Sequence, residues 1–319
     1  MPEKNVKEIF NIKLPPKLKY FLTLYEPIKD RNPFLWKWVY HAVDAAALSS
    51  IDKKIQKPIL EWKSIFVLFV TALDDVADKE SNLDYLSKLL TLLRDPLVAQ
   101  KGFSKTVINR NNPKTTLFLQ ILWKEIWSFF ENLPRYQEFQ DIIVFDCLQL
   151  LNSMHYSALA NNNPSVLNHS DASHYLAHNM QALINFDLDL AASPSFDATE
   201  LPAARRVFVR CQLVFRIANW LYTWERELSE NDLSNGVIAL ALSNNTIKTQ
   251  DLEDKKRDID KLKNKIRRSA VEKELQRQIE SQIRAMRQEK ANIKSFDLQK
   301  VINSANYASV LYKRTKKYV

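Results

Sequence analysis

The sequence predicts an all-α fold, and three features of it carry that expectation. Only two glycines, Gly102 and Gly236, occur in 319 residues. A chain with so few residues suited to positive φ cannot build the many tight hairpins that an all-β fold needs. The twelve prolines fall mostly between apolar segments, as helix punctuation does. Between them, apolar residues recur at spacings of three and four, clearly so in LFLQILWKEIWSFF and FDCLQLLNSMHYSAL.

Taken in order, residues 1–33 read as an extended, proline-rich lead-in (FNIKLPPKL, then EPIKDRNP). Helical patterns follow at about 34–49, 58–74, 83–93, 114–131, 136–160, 171–191, 198–228, 231–243 and 252–292, with a last one near 297–315. Loops are expected at Asp30–Pro33, Asn111–Pro113, Asn161–Pro164 and Ser193–Pro194. The stretch 252–292 is about half charged and carries Leu252, Ile259, Leu262, Ile266, Leu275, Ile279 and Ile283. That spacing is not a sustained heptad, so it predicts a long amphipathic helix or helix pair on the outside of the fold. No internal repeat or low-complexity linker divides the chain, and a single domain over 1–319 is the simplest organisation.

Hydrophobic residues make up 46%, which argues against disorder. The net charge is +9, with the excess concentrated in the basic C-terminal helices over 252–319, in stretches such as KKRDIDKLKNKIRRS and YKRTKKYV. Solvated helix faces explain such an excess, as would an anionic partner. Cys147 and Cys211 lack metal-like spacing, so free buried thiols in a reducing cytosol are expected. The charged MPEKNVKEIF shows no leader-type apolar region, and no apolar run reaches the roughly 18 residues of a membrane span. A cytoplasmic protein is the expectation.

Two polar stripes suggest chemistry. The apolar run SIFVLFVTAL (Ser64 to Leu73) ends abruptly in Asp74, Asp75, Asp78 and Glu80. The C-terminal end of a helix carries partial negative charge, so carboxylates there need something positive to offset them. Asp74 and Asp78 lie one turn apart on one face, with Asp75 adjacent, and carboxylates this close require a shared cation or a raised pKa. In ANWLYTWERELSENDLSNGVIAL, Asn219, Thr223 and Glu227 fall at i, i+4 and i+8. They form a line about 12 Å long on one helix face. An amide oxygen, a hydroxyl and a carboxylate are hard donors suited to Mg²⁺, with water and phosphate completing the shell. Arg226, beside the carboxylate, is placed to hold a phosphate oxygen.

The pair LDDVAD and NWLYTWERE, about 145 residues apart, resembles the class I terpene cyclases of the microbial type. That family carries DDxxD, then (N/D)xxx(S/T)xxxE, usually with a basic residue before the Glu and then a helix opening like GDxxN. Here Arg226 precedes Glu227, NDLSN follows, and FNIKLPPKL looks like the family's strand-like N-terminal segment. The resemblance implies a barrel-like helical bundle whose cavity is closed at one end by metal. It implies that Asp74, with Asp75 or Asp78, binds two Mg²⁺ ions and that Asn219, Thr223 and Glu227 bind a third. The substrate would be a C15 or C20 isoprenyl diphosphate (farnesyl or geranylgeranyl diphosphate), ionised and cyclised to a sesquiterpene or diterpene with release of diphosphate. An aromatic wall would shield the cation, each face contributing roughly 0.5–2 kcal/mol. Phe66, Phe69, Phe186, Trp220 and Trp224 are candidates, Phe186 foremost, because HNMQALINF matches the region where the family's helix breaks.

Three departures stand out. Asn179 lies near the position where the family usually has a diphosphate-sensing arginine, so another cation must act or catalysis is altered. The usual C-terminal Arg-Tyr pair appears only as Lys317-Tyr318, with Arg314 nearby, and lysine lacks the bidentate fork. Trp220 replaces an Asp that commonly follows the first ligand of the second motif. A chain-elongating prenyltransferase shares the fold but generally uses a second aspartate-rich motif, absent here. A non-enzymatic basic helical protein is the alternative of another class, although no nucleic-acid motif supports it. A homodimer is among the assemblies this reading allows.

Overall fold

The computed structural model describes residues 5–79, 83–94, 113–254 and 257–318; the side chains of Asp78 and Lys79 lie outside the description. The described residues form helices and connecting turns, with no strand among them. The lead-in, expected to be extended, is helical. Helix α1 (Val6–Phe10) starts at Asn5, whose side chain and that of Glu8 cap each other's backbone N–H groups. Helix α2 (Pro16–Tyr25) opens on a proline at its first position. The Glu61 carboxylate accepts from the N–H groups of Lys17 and Leu18, at 2.7 and 3.1 Å. Its buried residues Leu18, Phe21, Leu22 and Tyr25 follow helical spacing. The prolines therefore start a helix here rather than prevent one.

Helices α3 (Phe34–Ala46), α4 (Gln56–Lys79), α5 (Leu83–Leu93), α6 (Pro113–Glu131) and α7 (Tyr136–Asn162) match the expected segments to within a few residues. Helix α4 lies at the centre of this half, packed against α2, α3, α6 and α7. The single helix expected over 171–191 is divided into α8 (His169–Tyr175), a 3₁₀ turn over Leu176–Met180, and α9 (Ala182–Ala191). Gln181, at φ 46°, makes the break. Helix α10 (Leu201–Ser229) packs against α9 on one side. Helix α11 (Gly236–Ser243) and the short α12 (Thr249–Glu253) follow. The charged stretch is a helix pair rather than one long helix, α13 (Ile259–Arg267) and α14 (Val271–Arg287), parted at 268–270. Helix α15 (Leu298–Thr315) closes the bundle, and both α14 and α15 pack on α10. Some basic residues of this stretch are paired locally, as in Arg267–Glu225 at 2.7 Å and Lys265–Asp251 at 3.2 Å.

Trp220 is fully buried on the far side of α10, where its indole lies against the first residue of α11. A Cβ on Gly236 would stand 2.2 Å from the Trp220 ring, so the tryptophan fits only because Gly236 has no side chain. Gly236→Ala should therefore lower stability by about 1–3 kcal/mol, the usual cost of overpacking a core. Urea unfolding with an unchanged slope would check it.

Candidate active site

A cavity of about 300 Å³ runs between α3, α4, the break before α9, α10 and α15. Asp74 of α4 and Asn219, Arg226 and Glu227 of α10 line it together. The two acidic stripes thus face one space. Thr223 is buried between Asn219 and Glu227; its hydroxyl donates to the Asn219 carbonyl at 2.9 Å and also meets Glu227. The Asn235 amide donates to Glu227 Oε2 at 2.6 Å. The loop carrying Asp232 is held beside them: the Asp232 N–H donates to the Glu227 carbonyl at 2.9 Å, and Ser234 Oγ donates to Asp232 Oδ1 at 2.7 Å.

The neighbouring aspartates have separate fates. Asp75 does not line the cavity. Its carboxylate accepts from Tyr25 Oη and Arg31 Nη2, both at 2.5 Å, which offsets its charge at the unfavourable helix end. Asp74 faces the cavity instead, and its pKa is raised to about 7. Burial is the first cause and the Asp232 charge the second, with Arg216 acting in the opposite sense. Burial and Asp232 also push Glu227 up, again against Arg216. Asp78 was expected to share in metal binding; its side chain lies outside the described residues.

A cation outside the sequence motifs, Arg216, lies one turn before Asn219 and in the cavity wall. Its Nη1 donates to Asn219 Oδ1 at 2.9 Å, while its buried Nε has no acceptor among the described residues. The guanidinium carbon lies 5.5 Å from the Trp220 ring centre, a cation–π contact that orients it. Arg31 also lines the cavity, and Arg226 lies 3.9 Å from Glu227 with half its side chain exposed. The i−3 spacing of Arg216 from Asn219 was visible in RIANW, but nothing in the residue pattern alone distinguished it from a surface arginine. Asn179 does line the cavity, with its side-chain oxygen engaged by Ser153 Oγ.

The remaining candidates divide. Phe186 lines the cavity and stacks on Phe208 at 4.4 Å. Phe69 and Phe66 are instead wholly buried in the α4–α6 interface, Phe69 stacked on Trp123 and Phe66 edge-to-face with Phe130. Trp224 turns to α14, where its Nε1 donates to Glu272 at 2.9 Å. Arg314, Lys317 and Tyr318 are exposed and outside the cavity wall, and the Tyr318 ring packs on Phe10 and Phe34. Their expected place is taken by Tyr312, which lines the cavity, hydrogen-bonds Asn219 and is pushed up to about 12 by burial. The apolar wall also includes Trp38, Phe215, Val67 and Leu311, with Trp38 and Tyr312 rings 4.9 Å apart.

The donors at the mouth fit a hard divalent cation. Two carboxylates with raised pKa, an amide oxygen and a hydroxyl are oxygen ligands of the type Mg²⁺ takes. No three His, Cys, Asp or Glu side chains converge at ligating distance among the described residues, so water and phosphate oxygens would complete the coordination. Binding also needs ionised carboxylates. A pKa raised to about 7 means that the protonated Asp74 stabilises the cation-free fold. That contribution is full below the unfolded carboxylate pKa and is lost as pH rises through 7. The cation-free protein should melt at a lower temperature at about pH 8 than at about pH 6, and Mg²⁺ with diphosphate should stabilise it more at the higher pH. Scanning calorimetry at the two pH values checks both signs.

This all-α bundle, with an apolar cavity walled at one end by two facing polar stripes, matches solved terpene synthases in fold. Isoprene synthase from grey poplar leaves (Populus x canescens), in complex with three Mg²⁺ ions and dimethylallyl-S-thiolodiphosphate, superposes over 96% of this chain with a TM-score of 0.59 at 13% identity. The same enzyme in a second structure gives 0.59 at 15% identity. The chain spans about half the length of those enzymes, 55% and 53%. α-Eudesmol synthase matches over 97% of this chain and 95% of its own, with a TM-score of 0.53 at 13% identity. At such identities the likeness is one of fold. No protein-family model and no curated protein matches the sequence. No helix among the described residues is long and apolar enough to cross a membrane.

Proposed function

We propose that this chain is a single-domain, Mg²⁺-dependent class I terpene synthase of the microbial type, acting in the cytoplasm on a C15 or C20 isoprenyl diphosphate. The observation that carries the reading is the meeting of Asp74 and Glu227 across one cavity whose interior is apolar. Asp74, Asn219, Thr223 and Glu227 are the residues that would hold the metal. When bound, the cations would stabilise the leaving diphosphate's charge as the carbon–oxygen bond breaks.

The chain's own residues do the rest. Arg216 and Arg31 offer charge-assisted hydrogen bonds to phosphate oxygens at the mouth, and Arg226 adds a third at the rim. Arg216 would leave Asn219 Oδ1 to do so, freeing that oxygen as a ligand. Trp38, Phe186, Phe215 and Tyr312 exclude bulk water and present π faces to the allylic cation. Asp75, paired with Arg31 and Tyr25, positions the arginine rather than touching substrate.

Purified protein incubated with Mg²⁺ and farnesyl or geranylgeranyl diphosphate should release diphosphate and a cyclic terpene detected by gas chromatography. Absence of any product from both substrates would falsify the reading. Longer prenyl diphosphates on adding isopentenyl diphosphate would show chain elongation instead.

A further inference from the structure

The wall of the cavity carries a polar line that the diphosphate end does not use. Asn185 and Asp189 lie one turn apart on one face of α9, and Gln181 caps its start, its carbonyl accepting from the Asn185 N–H at 3.0 Å. Gln181 and Asn185 both line the cavity. Each has a buried side-chain oxygen, Oε1 and Oδ1, with no hydrogen-bond donor among the described residues. Gln181 is 3% exposed. At the end of the line, Asp189 Oδ1 accepts from Lys63 Nζ at 2.7 Å, and its Oδ2 accepts from the Leu48 N–H at 3.0 Å. Lys63 itself lines the cavity and is buried. It precedes Asp74 on α4 by 11 positions, which separates the two ends by roughly 16 Å along the helix.

Buried carbonyl oxygens are ordinarily paired, and a hydrocarbon substrate has no donor to give them. A water molecule does, and a polar pocket with converging acceptors is where a buried water belongs. We propose that Gln181 and Asn185 hold a water against the terminal carbocation, so that the product is a terpene alcohol. A lone pair of the water forms the new carbon–oxygen bond, and one O–H bond of the resulting oxonium breaks. Its proton passes to the Asp189 carboxylate, one turn beyond Asn185. Asp189 becomes a neutral acid, so the positive charge that arrived on carbon is cancelled at the carboxylate and the Lys63 ammonium keeps the charge it already carried. The inference rests on the synthase reading.

The test is the reaction run in H₂¹⁸O, with products separated by gas chromatography and weighed by mass spectrometry. The wild-type protein should give an alcohol carrying the label. Asn185→Leu and Gln181→Met should each lower the ratio of alcohol to hydrocarbon by about tenfold or more, a ratio that does not depend on total rate. Two variants are used so that poor folding of one leaves the other decisive. Labelled alcohol at an unchanged ratio in a folded variant overturns the inference. So does hydrocarbon alone, or unlabelled alcohol, from the wild type, while either leaves the synthase reading standing. No product of any kind removes both.

Discussion

Asp74→Asn should reduce turnover of the isoprenyl diphosphate by about 10³-fold, with little change in fold. Removing one preorganised electrostatic partner typically costs about 10²–10³ in turnover. Asp74 should sit at the upper end, because it is the cavity-lining carboxylate of its wall among the described side chains. The variant also predicts an opposite change in stability. With its pKa raised to about 7, the native carboxylate opposes folding once it ionises. The asparagine cannot ionise, so the cation-free variant should be more stable than the wild type at about pH 8 and gain nothing at about pH 3, below the ordinary carboxylate value of 3.8. Asp75→Asn is the contrasting control. Its carboxylate holds Arg31 and Tyr25 rather than facing the cavity, so it should lose less turnover and more thermal stability than Asp74→Asn. Steady-state kinetics together with calorimetry distinguish the two. Equal kinetic losses for both would mean that Asp75 also reaches the cavity, against its observed partners.

This contrast marks where sequence ends as a guide. Helix existence was legible because burial imposes a 3.6 period, and the stripes were legible because oxygen donors at i, i+4 and i+8 interrupt it. At residues 1–33 the prolines signal extended chain, whereas Pro16 and the distant Glu61 cap start a helix there. The division of 171–191 was expected only through the family resemblance, since Gln181 is not a residue that announces a left-handed turn. Direction of facing was the larger loss. DDVAD gives no means to tell that Asp74 turns inward and Asp75 outward, because that depends on Arg31 and Tyr25 arriving from another segment. The aromatic wall fails similarly: Phe69 and Trp224 lie on the right helices but on faces claimed by Trp123 and Glu272. Tyr312, five residues upstream of Lys317, reaches the cavity instead.

Asp189→Leu should destabilise the fold by about 3–5 kcal/mol, the usual cost of leaving one member of a buried ion pair alone. Lys63 and Asp189 are 1% and 0% exposed, and they meet at 2.7 Å. Burial pushes the Lys63 amine down and the Asp189 carboxyl up, and their mutual attraction opposes both. Without Asp189 the lysine pKa should fall further. A lysine that binds its proton less well folded than unfolded makes stability rise with pH. The deficit of Asp189→Leu should therefore shrink as pH rises from the depressed folded pKa toward the ordinary lysine value of 10.5. The double variant Lys63→Met/Asp189→Leu should recover most of the loss, because apolar replacement of a buried pair is often neutral or stabilising. A double-mutant cycle in urea at two pH values measures the coupling. Recovery in stability without recovery of alcohol product would then separate the two roles of the pair. A hydrophobic pair would hold the helices together equally well, but it cannot take a proton from a water at the cavity floor.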